Sequence, residues 1–296
     1  MIRRIHNMNI VKISDGLGNQ MFQYAFARKL QIDTGRTVYL DIRYINNEDR
    51  DARKENNYYT DRNDFRQYGL DNFRIRLPVA DEKHLRNWNY LHQKGKVHQG
   101  IYTMAKNGLW PFGYCDEDMD GVKTNTNLPM YYKGYFFHLK YFDAIKEELK
   151  KEFVLKHKLK LPAELREILS DNNTVSVHVR RGDFLKLNRD ISRKDYYPRA
   201  LQMIETKIEN PMYLFFSDDI AWVKENIRTK GKAVYISDMG FRDYEELAIM
   251  KHCKYNIIAN STFSYWAAYL NSHPGKIVIC PRHWKSNIIP KDWVCL

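Results

Sequence analysis

Short apolar runs alternate with amphipathic stretches throughout the second half of the chain. Runs of about five apolar residues predict buried strands, and apolar residues spaced three and four positions apart predict the helices between them. The predicted strands are Thr174–Val179, Met212–Phe216, Ala233–Ser237, Tyr255–Ala259 and Lys276–Cys280, and the predicted helices are Asp195–Ile208, Ile220–Ile227, Tyr244–Lys251 and Thr262–Leu270. Strands that alternate with helices indicate a parallel sheet with right-handed crossovers.

The start of the chain has a shorter pattern of the same kind. Asn9–Ser14 is predicted as a strand that ends in a tight loop, followed by a helix that stops at Gly35 and by a strand over Val38–Asp41. The polar stretch Arg43–Thr126 predicts helices and loops. Tyr131–Phe137 is strand-like, and Tyr141–Phe153 has the spacing of an amphipathic helix.

A lysine-rich polar segment, Lys156–Asn173, separates the two patterns. We therefore predict two domains, residues 1–155 and residues 156–296, both of the α/β class. The length of 296 residues suits this division.

Polar clusters occur where the predicted strands end. Ligands of parallel sheets bind beyond the carboxyl ends of the strands, so these clusters form the candidate site. They are Asp15–Gln20, His178–Asp183, Ser217–Asp219, Ser237–Asp238 and Asn260–Thr262.

The segment His178–Asp183 (HVRRGD) is the most informative of these clusters. Neighbouring residues on a strand point to opposite sides, so one arginine can reach a ligand while the other pairs with Asp183 or another carboxylate. A guanidinium offers a planar fork of donors that suits phosphate. A purely structural ion pair is the alternative interpretation.

Two other clusters fit either a structural or a binding role. The loop Asp15–Gln20 has two glycines but not the full dinucleotide-binding fingerprint, so it is a tight turn or a close approach to a ligand. Ser261 and Thr262 are good helix N-caps, and a helix N-terminus also offers N–H groups to a phosphate. Asp118-Met119-Asp120 looks like a metal-binding DxD, but no clear strand precedes it, so we predict a surface turn and no metal site.

Composition narrows the class of partner. The 48 lysines and arginines against 36 acidic residues give a net charge of +12, spread evenly over both halves, which suits an anionic partner such as a nucleic acid, a membrane surface or a phosphorylated small molecule. Four scattered cysteines indicate neither a disulfide framework nor zinc. The sequence has no apolar run of the roughly 20 residues that a membrane span needs, and no secretory signal at Met1–Met8. We expect a cytoplasmic protein with at most peripheral contact to a membrane.

The motifs in order along the chain resemble the α-1,2-fucosyltransferase family of glycosyltransferases, especially its bacterial members. The matching segments are Asp15–Ala27, Tyr68–Ile75, Lys133–Phe142, His178–Phe184, Phe215–Asp219 and Ile257–Leu270. The resemblance implies a GT-B-like fold, with two Rossmann-like domains facing across a cleft, acceptor on the N-terminal side and GDP-fucose held by the C-terminal domain. It also implies transfer of L-fucose from GDP-β-L-fucose to the 2-hydroxyl of a terminal galactose, with inversion and without a metal or other cofactor.

The resemblance further implies roles for individual residues. Arg180 would hold the diphosphate and neutralise the departing GDP, and His178 and Glu246 would lie beside guanine. The other predicted donor-binding residues are Gly16, Gly18, Asn19, Gln20, Ser217, Asp218, Asp219, Asn260, Ser261, Thr262 and Phe263. Asp15, where many relatives have glycine, and Asp183 are candidates for a general base, and a path without a strong base stays open.

Three functional hypotheses follow. The first is a bacterial galactoside α-1,2-fucosyltransferase of lipopolysaccharide or O-antigen synthesis, acting on a galactose-terminated oligosaccharide or glycolipid. The second keeps GDP-fucose but uses another sugar hydroxyl or a peptide Ser/Thr, because the resemblance is thinnest over Arg43–Asn127, where the acceptor would be chosen. The third is an RNA-binding protein, which the even spread of charge disfavours, so we expect no nucleic-acid partner.

Overall fold

The computed structural model describes residues 8–45, 67–92, 95–117, 121–124, 127–170 and 173–296. The chain forms two compact units, Met1–Val154 and Leu155–Leu296. The α/β class and the parallel sheets predicted from the sequence are confirmed in both units. No helix of the described residues is both long and apolar enough to cross a membrane.

The N-terminal unit begins with β1 (Met8–Lys12), α1 (Leu17–Thr34) and β2 (Thr37–Asp41). Helix α1 ends as predicted because Gly35 takes a left-handed conformation with φ of 65°, and its N–H bonds to the carbonyl of Gln31. The next helices are α2 (Glu82–Leu85), a 3₁₀ segment (Arg86–His92) and α3 (Lys96–Lys106).

The unit continues with β3 (Gly113–Asp116), β4 (Met130–Lys133) and, after short 3₁₀ turns, α4 (Lys146–Glu152). In its described part a four-stranded parallel sheet has the order β2-β1-β4-β3. Phe22, Tyr24 and Phe26 of α1 are buried against this sheet and its connections, where aromatic rings contact one another edge to face and in stacks.

Three predictions for this unit were wrong. Strand β3 went unrecognised because its four buried residues include Gly113 and Asp116, which strands disfavour. Strand β4 stops at Lys133 instead of Phe137, because Gly134 (φ 159°) and Phe136 (φ 58°) turn the backbone. The helix expected over Tyr141–Phe153 is broken into a 3₁₀ turn, Asp143–Ile145, followed by α4.

The C-terminal unit follows the predicted alternation closely. Its elements are α5 (Ala163–Ser170), β5 (Thr174–Val179), α6 (Gly182–Lys186), α7 (Tyr196–Lys207), β6 (Met212–Ser217), α8 (Ile220–Asn226), β7 (Ala233–Tyr235), a 3₁₀ turn (Ile236–Met239), α9 (Asp243–His252), β8 (Tyr255–Ile257), α10 (Thr262–Leu270), β9 (Val278–Cys280) and β10 (Val294–Cys295). The two-residue β10 was not predicted, and β7 ends before Ser237.

All strands of this unit that the structure describes form one parallel sheet in the order β10-β9-β8-β5-β6-β7. Counted from β5, this is the strand order 3-2-1-4-5-6 of nucleotide-binding α/β folds. The chain leaves β5 towards β6 on one side and later returns to β8 on the other. The point where β5 and β8 lie side by side is therefore the topological switch point, where such folds bind ligands beyond the carboxyl ends of the strands.

Candidate active site

The predicted donor residues of the C-terminal unit gather at the carboxyl edge of its sheet. Strand β5 contains His178 and leads directly into Arg180 and Arg181, and the neighbouring strand β8 leads to the segment Asn260–Phe263 at the start of α10. Strand β6 ends at Ser217–Asp219. Residues that are up to 85 positions apart in the sequence thus follow three adjacent strands at one edge.

Arg180 lies between two carboxylates at this edge. Its Nη2 is 2.7 Å and its Nε 3.0 Å from Oδ1 of Asp183, and its Nη1 is 3.0 Å from Oδ2 of Asp218. The Nε contact is a hydrogen bond and the two Nη contacts are ion pairs, and together they fix the plane of the guanidinium. The side chain keeps 23% of its surface exposed, so the remaining donors can reach a ligand.

Arg181 has a different environment and is only 4% exposed. Its Nε donates to Oδ2 of Asp219 at 2.9 Å, its Nη1 donates to the hydroxyl of Ser192 at 2.5 Å, and its guanidinium carbon lies 3.9 Å from the ring centroid of Trp222. The Oδ2 of Asp190 lies 3.6 Å from Nη1 of Arg181. Arg181 is therefore a structural residue that ties β5 to α8, and Arg180 is the arginine with donors to spare.

Formal charge at this cluster is negative. Arg180 and Arg181 face four aspartates, at positions 183, 190, 218 and 219, which gives a formal net charge of −2. An anion at this edge would therefore have to be held by oriented hydrogen bonds, because the formal charge supplies no net positive field. Asp183 forms an ion pair with Arg180 and therefore helps to position the guanidinium.

The N-terminus of α10 adds a second group of donors. Ser261 is its N-cap, with Oγ accepting the N–H of Phe263 at 3.3 Å. Asn260 donates from Nδ2 to the carbonyl of Arg189 at 2.8 Å, while its Oδ1 is buried without a hydrogen-bond partner among the described residues. The positive end of the helix dipole at such a helix start favours an anionic ligand.

His178 lies beneath this helix start. Its Nδ1 is 2.9 Å from Oγ of Ser264, and its ring meets that of Phe263 edge to face at 5.6 Å. Burial, with a smaller contribution from the charge of Arg180, lowers the pKa of His178 to about 3. The imidazole is therefore neutral at physiological pH and adds no charge to the site.

Glu246, on α9, is a half-buried carboxylate near the ends of β6 and β7. Burial raises the pKa of Glu246 to about 7; the hydroxyl of Ser237 opposes this shift by hydrogen bonding, and the charge of Asp243 adds to it. The Oγ of Ser237 also accepts the backbone N–H of Ser217 at 3.0 Å, which links Glu246 to the end of β6. A carboxylate with such a pKa is a candidate functional group.

In the N-terminal unit, Asp15 follows β1 at the corresponding switch point, where β1 lies beside β4. It has a left-handed backbone with φ of 65°, which explains why glycine suits this position. The Oδ2 of Asp15 accepts the hydroxyl of Tyr135 at 2.6 Å. Gly16 is the N-cap of α1, and Gly18 and Asn19 lie in its first turn.

Gln20 corrects one sequence prediction. Its side chain is completely buried, and its Nε2 donates to the carbonyls of Asp15 and Gln67 while its Oε1 accepts the N–H of Gly69. An amide with these bonds cannot contact a donor nucleotide, so Gln20 positions the loop that carries Asp15.

Several residues of these networks were missed by sequence reasoning. Tyr135 and the carboxylate Glu117, whose Oε2 accepts the N–H groups of Tyr135 and Phe136 at 3.0 and 2.5 Å, organise the end of β4. Tyr135 belongs to Lys133–Phe142, so the family resemblance was the available signal. Ser192 gave no signal, because an isolated serine in a polar stretch is ordinary, whereas Ser237 belongs to the predicted polar cluster Ser237–Asp238.

The acidic pair Asp118 and Asp120 lies outside the described residues. The premise that no strand precedes it was wrong, since β3 ends at Asp116. Asp116 itself is buried, with Oδ2 3.0 Å from Nζ of Lys133. In the part of the chain that the structure describes, no group of three or more His, Cys, Asp or Glu side chains is placed to hold a metal ion.

Comparisons with known proteins show which proteins this chain resembles. The family profile described as "Glycosyl transferase family 11" matches residues 72–294. The O-antigen biosynthesis glycosyltransferase WbnK of Escherichia coli is 30% identical over 96% of this chain and 99% of its own length, and an alpha-1,2-colitosyltransferase of Escherichia coli is 26% identical over 93% and 91%. Galactoside alpha-(1,2)-fucosyltransferase 2 of Rattus norvegicus is 28% identical over 47% of this chain and 43% of its own.

A solved structure is similar over most of the chain. The GDP complex of a mutant of Arabidopsis thaliana FUT1 superimposes with a TM-score of 0.52 at 11% identity, covering 94% of this chain and 71% of that one. At this identity the likeness concerns the fold alone, and it confirms the GT-B-like α/β architecture expected from the sequence.

Proposed function

This chain belongs to glycosyl transferase family 11 and is a fucosyltransferase-like glycosyltransferase, and from that premise we propose that it transfers L-fucose from GDP-β-L-fucose to the 2-hydroxyl of a terminal galactose, with inversion and without a metal. The observation that carries the proposal is the placement of Arg180 and the start of α10 together at the switch point of the C-terminal sheet.

In the proposed reaction the acceptor oxygen bonds to C1 of fucose while the bond from C1 to the diphosphate oxygen breaks. Negative charge then develops on the β-phosphate of GDP. The partly exposed guanidinium of Arg180 and the N-terminus of α10 are oriented towards that charge, and groups fixed in advance stabilise a transition state without reorganisation. Asp183 and Asp218 hold the guanidinium in place.

Glu246 supports the choice of guanine as the base. Guanine presents its N1–H and N2–H₂ donors side by side, and a carboxylate accepts both. The Glu246 carboxyl has a pKa of about 7, and among the residues that the structure describes no cation contributes to this value. A partly buried carboxylate without a cation is stabilised by new donors, and the guanine edge supplies them.

For the proton of the acceptor hydroxyl, Asp15 is a better candidate than Asp183. Asp183 is bound to a guanidinium, whereas Asp15 accepts one hydrogen bond from the neutral Tyr135 and its strained backbone holds it at the end of β1. The proton would pass from the acceptor hydroxyl to Oδ1 of Asp15, which leaves a neutral carboxyl to be discharged to water.

The second candidate function changes the sugar or the acceptor. The similarity to a colitosyltransferase favours a test of colitose as the transferred sugar. Another sugar hydroxyl or a peptide Ser/Thr is the alternative acceptor, since the resemblance to the α-1,2-fucosyltransferases is thinnest over Arg43–Asn127.

The test is mass spectrometry and NMR of the product after incubation with GDP-fucose and lactose or N-acetyllactosamine. Parallel samples contain GDP-colitose, a panel of other glycosides and peptides, or EDTA. We expect a fucosylated galactoside with an α-1,2 linkage, inhibition by GDP, and most of the activity left after chelation. Transfer only to another hydroxyl, transfer only of colitose, or activity that requires added Mn²⁺ or Mg²⁺ would overturn the corresponding part of the proposal.

A further inference from the structure

A chain of hydrogen bonds joins the ends of three adjacent strands in the N-terminal sheet. Glu117 follows β3, Tyr135 follows β4 and Asp15 follows β1, and these strands lie side by side in the order β1-β4-β3. The Oε2 of Glu117 accepts the backbone N–H groups of Tyr135 at 3.0 Å and of Phe136 at 2.5 Å. The hydroxyl of Tyr135 in turn donates to Oδ2 of Asp15 at 2.6 Å. Glu117 is thus linked to Asp15 through Tyr135.

The turn after β4 is built around the carboxylate of Glu117. Gly134 and Phe136 have φ of 159° and 58°, and successive N–H groups in such a turn form a concavity that suits an anion. A Cβ on Gly134 would lie 2.6 Å from Cβ of Glu117 and 2.7 Å from its Oε2, so the close approach requires glycine. Phe136 is completely buried and stacks on Phe26 with ring centroids 3.8 Å apart, which holds its left-handed backbone in place. A bulky residue in this conformation is strained, and such strain is concentrated at functional sites.

The ring of Tyr135 is fixed by separate contacts. It stacks on Phe137 with an interplanar angle of 3° and ring centroids 5.2 Å apart, and Phe137 meets Phe22 of α1 edge to face at 5.0 Å. Both the backbone and the ring of Tyr135 are therefore held, and its hydroxyl is aimed at the carboxylate of Asp15. A reacting group has to be held within about 0.5 Å of its productive position by residues that are themselves fixed. The chain of hydrogen bonds from Glu117 supplies such support to Asp15.

We propose that Glu117 is a positioning residue for sugar transfer: through the backbone of Tyr135 it holds the hydroxyl that orients the carboxylate of Asp15. The inference rests on the proposed function, in which Asp15 takes the proton of the acceptor hydroxyl. Glu117 touches neither substrate in this role. A carboxylate that only capped the turn would contribute to stability in the same way, but its removal would leave the reaction of the folded protein unchanged.

The experiment compares Glu117→Ala with Glu117→Gln by kcat, by KM for GDP-fucose and for lactose, and by melting temperature. Alanine removes the acceptor of both N–H groups, whereas the amide oxygen of glutamine still accepts them. The matched control is Asp81→Ala. Asp81 also accepts a backbone N–H, that of His84 at 2.9 Å, but it is the N-cap of α2 and has no part in this chain of hydrogen bonds.

We expect Glu117→Ala to lower kcat about tenfold, because a displacement of about 1 Å at a reacting group costs up to about 10²-fold. KM for GDP-fucose should stay unchanged, and Glu117→Gln should keep nearly all of kcat. Asp81→Ala should lower only the melting temperature. Wild-type kcat in Glu117→Ala, or a loss in Glu117→Gln as large as that in Glu117→Ala, would overturn the inference.

A double-mutant cycle with Asp15→Asn separates positioning from a general loss of structure. Once the base is gone, removal of the Glu117 carboxylate should cost little more, so the two effects on kcat should be far from additive. The same tenfold loss in both backgrounds would overturn the inference and leave Asp15 as the base. Unchanged kcat in Asp15→Asn would refute the base of the proposed function and the inference with it, and a chain that transfers no sugar would refute the proposed function as a whole together with the inference.

Gly134→Ala perturbs the same contact from the other side, and it replaces Glu117→Ala if that variant does not fold. The added Cβ should displace the carboxylate of Glu117, so kcat should fall as in Glu117→Ala. The control is Gly108→Ala, because Gly108 also has a positive φ (71°) but a Cβ there meets nothing within 4 Å. Normal kcat in folded Gly134→Ala would show that the reaction does not depend on this contact and would overturn the inference.

Discussion

Asp218 holds Arg180 through a salt bridge of 3.0 Å from Oδ2 to Nη1, while its other oxygen accepts the backbone N–H of Arg181 at 2.9 Å. The carboxylate can reach both groups only because residue 182 is glycine. A Cβ built on Gly182 would lie 2.5 Å from Oδ2 of Asp218 and 3.2 Å from its Cγ. The glycine of the HVRRGD segment is therefore required by packing against Asp218.

Gly182→Ala is expected to push Asp218 away from Arg180 and to lower both turnover and stability. Forcing an extra carbon into a packed contact costs roughly 1–3 kcal/mol. The control is Gly100→Ala, where a Cβ meets nothing within 4 Å and alanine favours the helix. The measurements are kcat and melting temperature for both variants. Normal turnover of Gly182→Ala would show that the bond between Asp218 and Arg180 does not matter for the reaction.

Arg180→Lys and Arg181→Lys should fail in different ways. Arg180→Lys keeps the charge but loses the planar fork held by Asp183 and Asp218, so turnover should fall at least ~100-fold, the scale of losing one oriented donor. Its melting temperature should change little, because the side chain is partly exposed. Arg181→Lys loses the bonds to Asp219 and Ser192 and the stacking on Trp222, so its melting temperature should fall with a smaller loss of turnover.

One pair of results would contradict these roles of Arg180 and Arg181. If Arg180→Lys keeps near-normal turnover while Arg181→Lys is inactive but stable, the two arginines have the opposite roles. The comparison uses kcat at saturating GDP-fucose and the melting temperature without ligand, measured side by side.

The regular alternation of apolar strands and amphipathic helices made the C-terminal unit predictable. Strand Thr174–Val179 and helix Thr262–Leu270 were predicted with their observed bounds, because buried strands of a parallel sheet and apolar helices give strong, regular signals. Strand β3 was missed because four residues carry little pattern. Tyr131–Phe137 was read as too long a strand because the turn at Phe136 uses a positive φ on an aromatic residue, which composition does not reveal.

The candidate site also has features that the sequence predicted and features that it did not. Different surroundings for Arg180 and Arg181 were predicted from the alternation of side chains along a strand, and their surroundings do differ, although both residues lie just beyond the end of β5. Which carboxylate meets which arginine did not follow, because Asp190, Asp218 and Asp219 reach the cluster through tertiary contacts. Gln20 looked like a ligand residue, since nothing in the sequence shows that its amide is consumed by the carbonyl of Gln67, 47 positions away.

Asp15→Asn is expected to lower kcat by about 100-fold or more while leaving the melting temperature nearly unchanged. Asparagine tolerates the left-handed backbone of this position, so only the proton-accepting charge is lost, and a positioned base contributes about 10²–10⁴-fold. Tyr135→Phe removes one hydrogen bond to Asp15 and should have a smaller effect on kcat. Unchanged kcat in Asp15→Asn would favour a path in which the departing phosphate assists.

Cys280 and Cys295 are paired in register on β9 and β10, with their sulfur atoms 3.4 Å apart and both thiols free. Treatment with the oxidant diamide should join them, with loss of one hydrogen from each thiol. Burial raises the pKa of the Cys280 thiol, so the half-exposed Cys295 should react first. Thiol titration of the folded protein should show two thiols lost, and Cys295→Ser should lose none by this route. Equal oxidation of the variant would mean that Cys115 or Cys253 reacts.

Glu246 predicts a pH dependence of donor binding. Its pKa, raised by burial to about 7, means that the carboxyl is mostly protonated at pH 6 and mostly ionised at pH 8. If the ionised form accepts the guanine donors, affinity for GDP-fucose should rise about tenfold from pH 6 to pH 8, since about a tenth of the group is ionised one unit below its pKa. GDP-fucose is the better probe than GDP, because its doubly esterified diphosphate has no proton to titrate in this range.

Glu246→Gln should flatten this profile. It should also weaken the binding of GDP more than the binding of pyrophosphate, because an amide NH₂ set against a guanine donor costs roughly 1–3 kcal/mol.

The effect of pH on the stability of the fold has the opposite sign to its effect on donor binding. A carboxyl whose folded pKa is raised from its ordinary 4.5 stabilises the fold fully below about 4.5 and loses that contribution as pH rises through 7. Without ligand, the free energy of unfolding of the wild type should therefore fall between pH 5 and pH 8 relative to Glu246→Gln. Calorimetric titration at pH 6, 7 and 8 and denaturant unfolding at pH 5 and 8 measure the two effects. A variant that binds GDP-fucose with the wild-type pH profile would place the guanine-reading carboxylate elsewhere, whereas a stability difference without any binding difference would make Glu246 a structural residue.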